Sequence, residues 1–297
     1  MEVLAALRHQ PITNKNASLD IHMSWWGMSN LLFDGRELSM EEKFQLIAES
    51  GFQGIDAFTP EPGEAAEQWR SLSEQYGLAL SVNVYPKSIE DMKSALDRAA
   101  AYGGIRAVNV QVMTPFLTGE GAIELLSGIA GLADEYQLPV HVETHRGTIT
   151  QDLIRTAEYV ERIPNLRLTA DLSHYVLAGE MLNVPEQAEA YFRLLLSRAD
   201  CIHARLSNGE QIQVDIGTED GSHPMLERYG QWWQDGMRSW QRSHPEGGSL
   251  LFIPELGPPP YAITFDETTS RKREFSDRWE QALTLMHYAR SLWDSID

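Results

Sequence analysis

The chain has 297 residues, 42% of them hydrophobic and 23% charged, a make-up that fits a globular protein and excludes a disordered or collagen-like one. Lys and Arg number 24 against 43 Asp and Glu, and the resulting net charge of -19 repels polyanions and sets nucleic acid aside as a partner. At this length an α/β barrel commonly forms one domain, so a single domain is the starting expectation.

Residues 1–18 carry no basic segment followed by an apolar run and a small-residue cleavage site, and they read as an N-terminal extension to a domain spanning 19–297. The first predicted strand is Leu19 to Ser24, with His22 on its inward side as a substrate contact or a hydrogen-bonded core residue. Trp25 and Trp26 follow, where an indole could stack on the apolar face of a sugar or simply pack the rim. No GxGxxG loop follows this strand, which argues against an open dinucleotide-binding sheet. Ser39 with Glu42 forms a capping-box pattern ahead of a periodic apolar stretch.

The second, third and fourth strands are Phe52 to Phe58, Leu78 to Tyr85 and Ala107 to Met113. Asn83 and Gln111, near the ends of the last two, either donate to substrate hydroxyls or tie down loops. Lys87 lacks the glycine-rich nest of a phosphate site, so a non-phosphorylated substrate is expected. The fifth strand, Leu138 to Thr144, carries Glu143 at its end with His141 deeper and His145 two residues on, pointing to the same side. Thr148 with Gln151 is a second capping-box pattern.

Strand six, Leu166 to Leu172, carries Asp171; strand seven, Asp200 to Leu206, carries His203 and Arg205; strand eight, Ser249 to Leu256, carries Glu255. The lone Cys201 cannot form an intramolecular disulfide, which suits a reducing cytoplasm. No apolar run reaches the roughly 20 residues that cross a bilayer, so no membrane association is expected. The aromatic-rich stretch Tyr229 to Trp240 reads as a core-facing helix or the cover of a subunit contact. A last helix, Phe275 to Asp294, presents Trp279, Leu283, Met286 and Trp293 as its inner face.

Eight strands separated by helix-length segments predict a (β/α)8 TIM barrel, whose catalytic groups gather where strands end. Four consecutive strands then deliver Glu143, Asp171, His203 and Glu255 to one mouth. Three carboxylates buried there need a counter-charge, and an oxygen-rich set with one imidazole suits one divalent ion: Mn(II) is expected, with Mg(II), Co(II) or Zn(II) as alternatives. Such an ion, chelating a carbonyl and its neighbouring hydroxyl, acidifies the carbon-bound proton between them and stabilises an enediolate. Glu143 and Glu255 would serve as general base and acid; His145 is the alternative base, suited to an elimination. Arg205, sharing the orientation of His203, binds a substrate oxygen or neutralises the carboxylates.

The segments ETHRG at 143–147, DLSHY at 171–175, IHARLSNG at 202–209 and PELGPP at 254–259 resemble the xylose isomerase-like superfamily of sugar isomerases and AP endonucleases. The resemblance implies that Glu143, Asp171, His203 and Glu255 bind the metal, and that the two glutamates shuttle protons, as in the family's keto-sugar epimerases. It also implies that His174 meets substrate or a second metal. Asp215-Ile216-Gly217 lacks the histidine of the DNA-repair branch, so a trinuclear zinc cluster is not expected. The leading expectation is a metal-dependent isomerase or epimerase of a sugar or keto polyol. The alternatives are a lyase on an oxidised sugar, resembling inosose dehydratases or 3-oxo-C-glycoside-cleaving subunits, and a non-catalytic partner subunit. The family often dimerises, so a homodimer or hetero-oligomer is implied, with a small carbohydrate as the ligand.

Overall fold

The structure, a computed structural model, describes residues 16–217, 222–266, 268, 271 and 273–296. Eight parallel strands close into a barrel: β1 (Ala17–Ser24), β2 (Gly54–Phe58), β3 (Ala79–Val84), β4 (Ile105–Val110), β5 (Val140–Glu143), β6 (Leu168–Ala170), β7 (Ala199–Ala204) and β8 (Gly248–Pro254). They follow one another in sequence order, and β1 closes the ring by pairing with β8 from Ala17↔Gly248 to Ile21↔Phe252 and with β2 from His22↔Gly54 to Ser24↔Asp56. All eight predicted strands form. The first begins at Ala17, inside the expected extension, whose residues 1–15 lie outside the described residues.

Alternation along each strand divides the interior from the shell. On β3, Leu80, Val82 and Val84 join the main core, while Ser81 and Asn83 bond to groups inside the barrel. A separate small cluster of Ala107, Cys201, Leu251 and Ile253 fills the interior below the mouth. Burial pushes the Cys201 thiol up, so this cysteine is packing material and not a nucleophile. At the strand starts Arg106 pairs with Asp20 at 3.1 Å, and Arg167 forks onto Asp200, so charges below the core are neutralised locally.

The helices are α1 (Met40–Glu49), α2 (Glu64–Tyr76), α3 (Ile89–Tyr102), α4 (Gly119–Tyr136), α5 (Leu153–Arg162), α6 (Ser173–Ala178), α7 (Glu186–Leu196), α8 (Pro224–Ser243) and α9 (Arg278–Asp294). The Ser39 capping box forms in both directions, Glu42 N–H donating to Ser39 Oγ at 3.3 Å and Ser39 N–H to Glu42 Oε2 at 2.8 Å. The expected box at Thr148 does not form. Thr148 donates instead to the His145 carbonyl at 2.7 Å within the loop, and Asp152 caps α5 by accepting from Arg155 N–H at 2.8 Å. A carboxylate closer to the periodic stretch outcompetes the hydroxyl.

The last helix likewise starts at Arg278, where Asp277 accepts from the N–H groups of Trp279 and Glu280, leaving Phe275 58% exposed before it. Trp279 and Met286 are buried, with Leu283 and Trp293 half-buried beside them. In α8, Tyr229, Trp232, Trp233, Met237 and Trp240 all enter the core, so this stretch is a core-facing helix. Among the described residues no helix is long and apolar enough to cross a membrane.

Candidate metal centre

Glu143 ends β5 and is fully buried. Its Oε2 accepts from Asn109 Nδ2 at 2.6 Å and from Gln111 Nε2 at 2.9 Å, which turns Oε1 toward the barrel axis. There His203 Nδ1 lies 3.5 Å from Glu143 Oε1 and 3.4 Å from Glu255 Oε2. One ligand atom from each of these three residues falls within 4.8 Å of the other two. Glu143 Oε1 and both His203 nitrogens are buried without a hydrogen bond of ordinary geometry. An orphaned carboxylate oxygen so close to an orphaned imidazole fits a shared cation, which would take Glu143 Oε1 and one His203 nitrogen as ligands.

Electrostatics agree with that reading. Burial works against charge on Glu143, but the His203 ring, His145 and the Asn109 hydrogen bond together outweigh it and hold the carboxyl at about 2. Burial also opposes charge on His203, yet Glu255 and Glu143 raise it well above the ordinary imidazole value. A proton on His203 thus occupies the electrostatic place of the expected cation.

Asp171 stands one step away from the other three. Its Oδ1 accepts from Ser173 N–H at 3.0 Å, and its Oδ2 lies 2.6 Å from Arg205 Nη2, which also reaches Glu255 Oε2 at 2.5 Å. The buried Arg205 guanidinium therefore links two expected ligands, while its Nε and Nη1 have no hydrogen bond. The sequence pattern brings Glu143, His203 and Glu255 together directly and Asp171 through Arg205.

His174 sits 3.5 Å from Asp171 Oδ2 through Nε2, and its ring centroid is 3.9 Å from that of His145. Burial first, then the charges of His145 and Arg205, press His174 well below the ordinary imidazole value. Glu143, His145 and His174 form a second group of ligand atoms within 4.8 Å of one another. His145 Nδ1 is 2.5 Å from the Arg146 carbonyl, an acceptor, so Nδ1 carries a proton, and in the neutral ring the lone pair then lies on Nε2. That nitrogen faces the Tyr261 hydroxyl at 3.3 Å.

The remaining sequence-derived residues divide. Trp26 reaches the rim, meeting Tyr261 edge-on at 5.0 Å, whereas Trp25 packs on Phe44 and Trp69 beneath the first loop. His22 lies in the barrel interior with Nδ1 3.0 Å from Ser81 Oγ, away from the ligand groups. Burial lowers its pKa to about 4, so it is neutral. Asn83 donates to Asp56 Oδ2 at 2.5 Å and accepts from Asn109 at 2.7 Å, and Gln111 holds Glu143. Asn83 also borders a cavity of about 720 Å³ between the ends of β2 and β3 and helix α3, shared with Phe58, Tyr85, Lys87 and Ser94 and with none of the candidate ligands. His141 is buried on β5, 4.0 Å from Asp200, at the end of the barrel away from the centre.

Sequence reasoning missed three participants. Asp56 is a buried carboxylate inside an apolar strand, the same signal that singled out Glu143 and Glu255. Asn109 sits two residues before Gln111 on the same inward face. Tyr261 follows the prolines after β8, and its ring is faced by Arg146 and by Arg205, each guanidinium carbon 4.8 Å from the centroid.

A family profile described as xylose isomerase-like TIM barrel matches residues 44–211, more than half of the chain. No curated protein matches the sequence. Among solved structures, a xylose isomerase-like TIM barrel protein from Mycobacterium smegmatis in complex with magnesium is 14% identical with a TM-score of 0.57, covering 94% of this chain and 98% of that one. A probable 3-DHS dehydratase from Bacillus anthracis is 16% identical with a TM-score of 0.54, covering 92% and 98%. The apo 3-keto-D-glucoside 4-epimerase of E. coli is 13% identical with a TM-score of 0.53, covering 92% and 100%. At such identities the likeness speaks to the fold.

Proposed function

Because the chain belongs to the xylose isomerase-like TIM-barrel family, we propose that it is a divalent-metal-dependent isomerase or epimerase acting on a sugar or keto polyol. The observation that carries this reading is the buried meeting of Glu143, His203 and Glu255, with Glu143 Oε1 and both His203 nitrogens unpartnered. Glu143, Asp171, His203 and Glu255 would hold the ion, and the oxygen-rich set suits Mn(II). When bound, such an ion withdraws electron density from a carbonyl and its adjacent hydroxyl and so acidifies the carbon-bound proton between them.

The protein's own groups supply the rest. Glu143 ends β5 and Glu255 follows β8, and the two carboxylates approach the same His203 nitrogen from separate strands, which suits one to remove a carbon-bound proton and the other to return it. Asn109 and Gln111 occupy Glu143 Oε2, which leaves Oε1 as the oxygen able to act. Arg205 and His174 border the same space and are suited to hold substrate oxygens. We place the protein in the cytoplasm, acting as a homodimer or in a hetero-oligomer.

A second reading, a lyase on an oxidised sugar, draws support from the His145 tautomer. In the neutral ring its Nε2 could take the proton whose departure accompanies loss of a leaving group. The two readings separate by experiment. Protein loaded with Mn(II) and incubated with a panel of keto sugars in deuterated water is expected to wash deuterium into the carbon beside the carbonyl, and Glu143→Gln is expected to abolish the exchange. Absence of exchange across the panel, together with release of water or an aglycone from a 3-oxo sugar that His145→Ala abolishes, would replace the isomerase reading with the lyase.

A further inference from the structure

Asp56, in the middle of β2, is 2% exposed and belongs to neither group of candidate ligands. Its Oδ1 accepts from Ser81 Oγ at 2.8 Å and its Oδ2 from Asn83 Nδ2 at 2.5 Å. Asn83 Oδ1 accepts from Asn109 Nδ2 at 2.7 Å, and the other N–H of that same nitrogen goes to Glu143 Oε2 at 2.6 Å. An unbroken line of side chains therefore joins Asp56 to Glu143 across β2, β3, β4 and β5. The register makes this possible, with Phe58 opposite Asn83 and Asn83 opposite Asn109.

Both ends of the line are carboxylates, which only accept, so the amides between them must donate outward at both ends. That condition fixes every amide. Asn83 turns its nitrogen to Asp56 and its oxygen to Asn109; Asn109 then gives one N–H to each side. The cost is visible, because Asn109 Oδ1 is buried without a partner. Without Asp56, the Asn83 nitrogen keeps only a 3.4 Å contact to the Ala57 carbonyl, so the amide orientation that turns its oxygen to Asn109, and with it the Asn109 amide that holds Glu143, is less firmly fixed.

We propose that Asp56 is a positioning residue for the metal centre, acting through Asn83 and Asn109 to hold Glu143 with Oε2 tied and Oε1 facing the ion. The proposal rests on the reading of Glu143 as a cation ligand. Partners that orient a ligand in this way characteristically contribute 10- to 100-fold in metal affinity.

The test is Mn(II) affinity, read by calorimetry and by the electron paramagnetic resonance signal of the bound ion, so no substrate is needed. Asp56→Ala, Asn83→Ala and Asn109→Ala are each expected to bind Mn(II) roughly 10-fold or more weakly than wild type. The double variant Asp56→Ala/Asn109→Ala should be no weaker than the worse single variant, because both act through one line. Asp56→Asn can accept from Asn83 with its oxygen and donate to Ser81 with its nitrogen, so it is expected to recover most of the lost affinity and the wild-type resonance spectrum. Should Asp56→Ala fail to fold, Asn83→Ala at the half-buried middle of the line tests the same claim. Wild-type affinity in the single variants, losses that multiply in the double variant, or an Asp56→Asn no better than Asp56→Ala would overturn the proposal while leaving the metal centre standing. A wild-type protein that binds no Mn(II) would overturn both.

Discussion

Replacing Asp56 by Asn should make the metal-free protein more stable at alkaline pH than the wild type. Burial raises the Asp56 carboxyl from 3.8 to about 6, against the opposing pull of His203 and the hydrogen bonds from Asn83 and Ser81. A carboxyl whose folded pKa lies above its unfolded one favours the folded state fully below the unfolded value, and this stabilisation is lost as pH rises through the folded value. Above that window ionised Asp56 costs about 3 kcal/mol relative to a group that never ionises, and near pH 4 the cost is under about 1 kcal/mol. Urea unfolding of both proteins in chelator at pH 4 and pH 8 measures this directly. The variant is expected to gain on the wild type by roughly 2–3 kcal/mol between the two conditions, the other titrating groups being common to both. A stability difference that does not change with pH, or one that grows toward acid, would refute the assignment of a strained buried carboxylate. A residue retained at such a cost is most simply understood as serving the centre above it.

Other perturbations have defined outcomes. Arg205→Leu leaves Asp171 and Glu255 without their buried counter-charge, so it should destabilise the metal-free protein by about 3–5 kcal/mol in urea unfolding, with part of the loss restored by Mn(II). In Gly54→Ala the added Cβ would lie 2.5 Å from His22 Nε2 and 2.7 Å from the Ala79 carbonyl, so a melting experiment should show a loss of about 1–3 kcal/mol; unchanged stability would mean the interior is looser than described. Removing the Ser39 hydroxyl with Ser39→Ala should cost about 1 kcal/mol by the same measurement, whereas Thr148→Ala should not act through helix capping.

Much of this arrangement was legible in the sequence because a barrel strand has a simple grammar. Apolar residues facing the helices alternate with inward groups, and the last inward residue of a strand stands at the mouth, so Glu143, His203 and Glu255 could be placed by counting. What could not be read is which inward groups touch. The encounter of Asn83 with Asn109 depends on strand register, and β3 and β4 pair with a register shift between Leu80 and Val82 that no local pattern announces. Arg205 between Asp171 and Glu255 is similarly a product of closure, since the three residues lie on different segments of the chain. Tyr261 comes from a proline-rich loop without periodicity, where its aromatic ring carried no directional information. At Thr148 two capping residues four positions apart competed, and electrostatics at the helix N-terminus favoured Asp152.

The claim on which the account turns is that four side chains share one cation. Crystals grown with Mn(II) and measured at its absorption edge give the most direct answer. The account predicts a single anomalous peak in the barrel mouth bonded to Glu143, His203 and Glu255, with Asp171 joining them and the Arg205 guanidinium displaced from between the two carboxylates. A mouth without anomalous density, with His203 still paired to both glutamates, would contradict it.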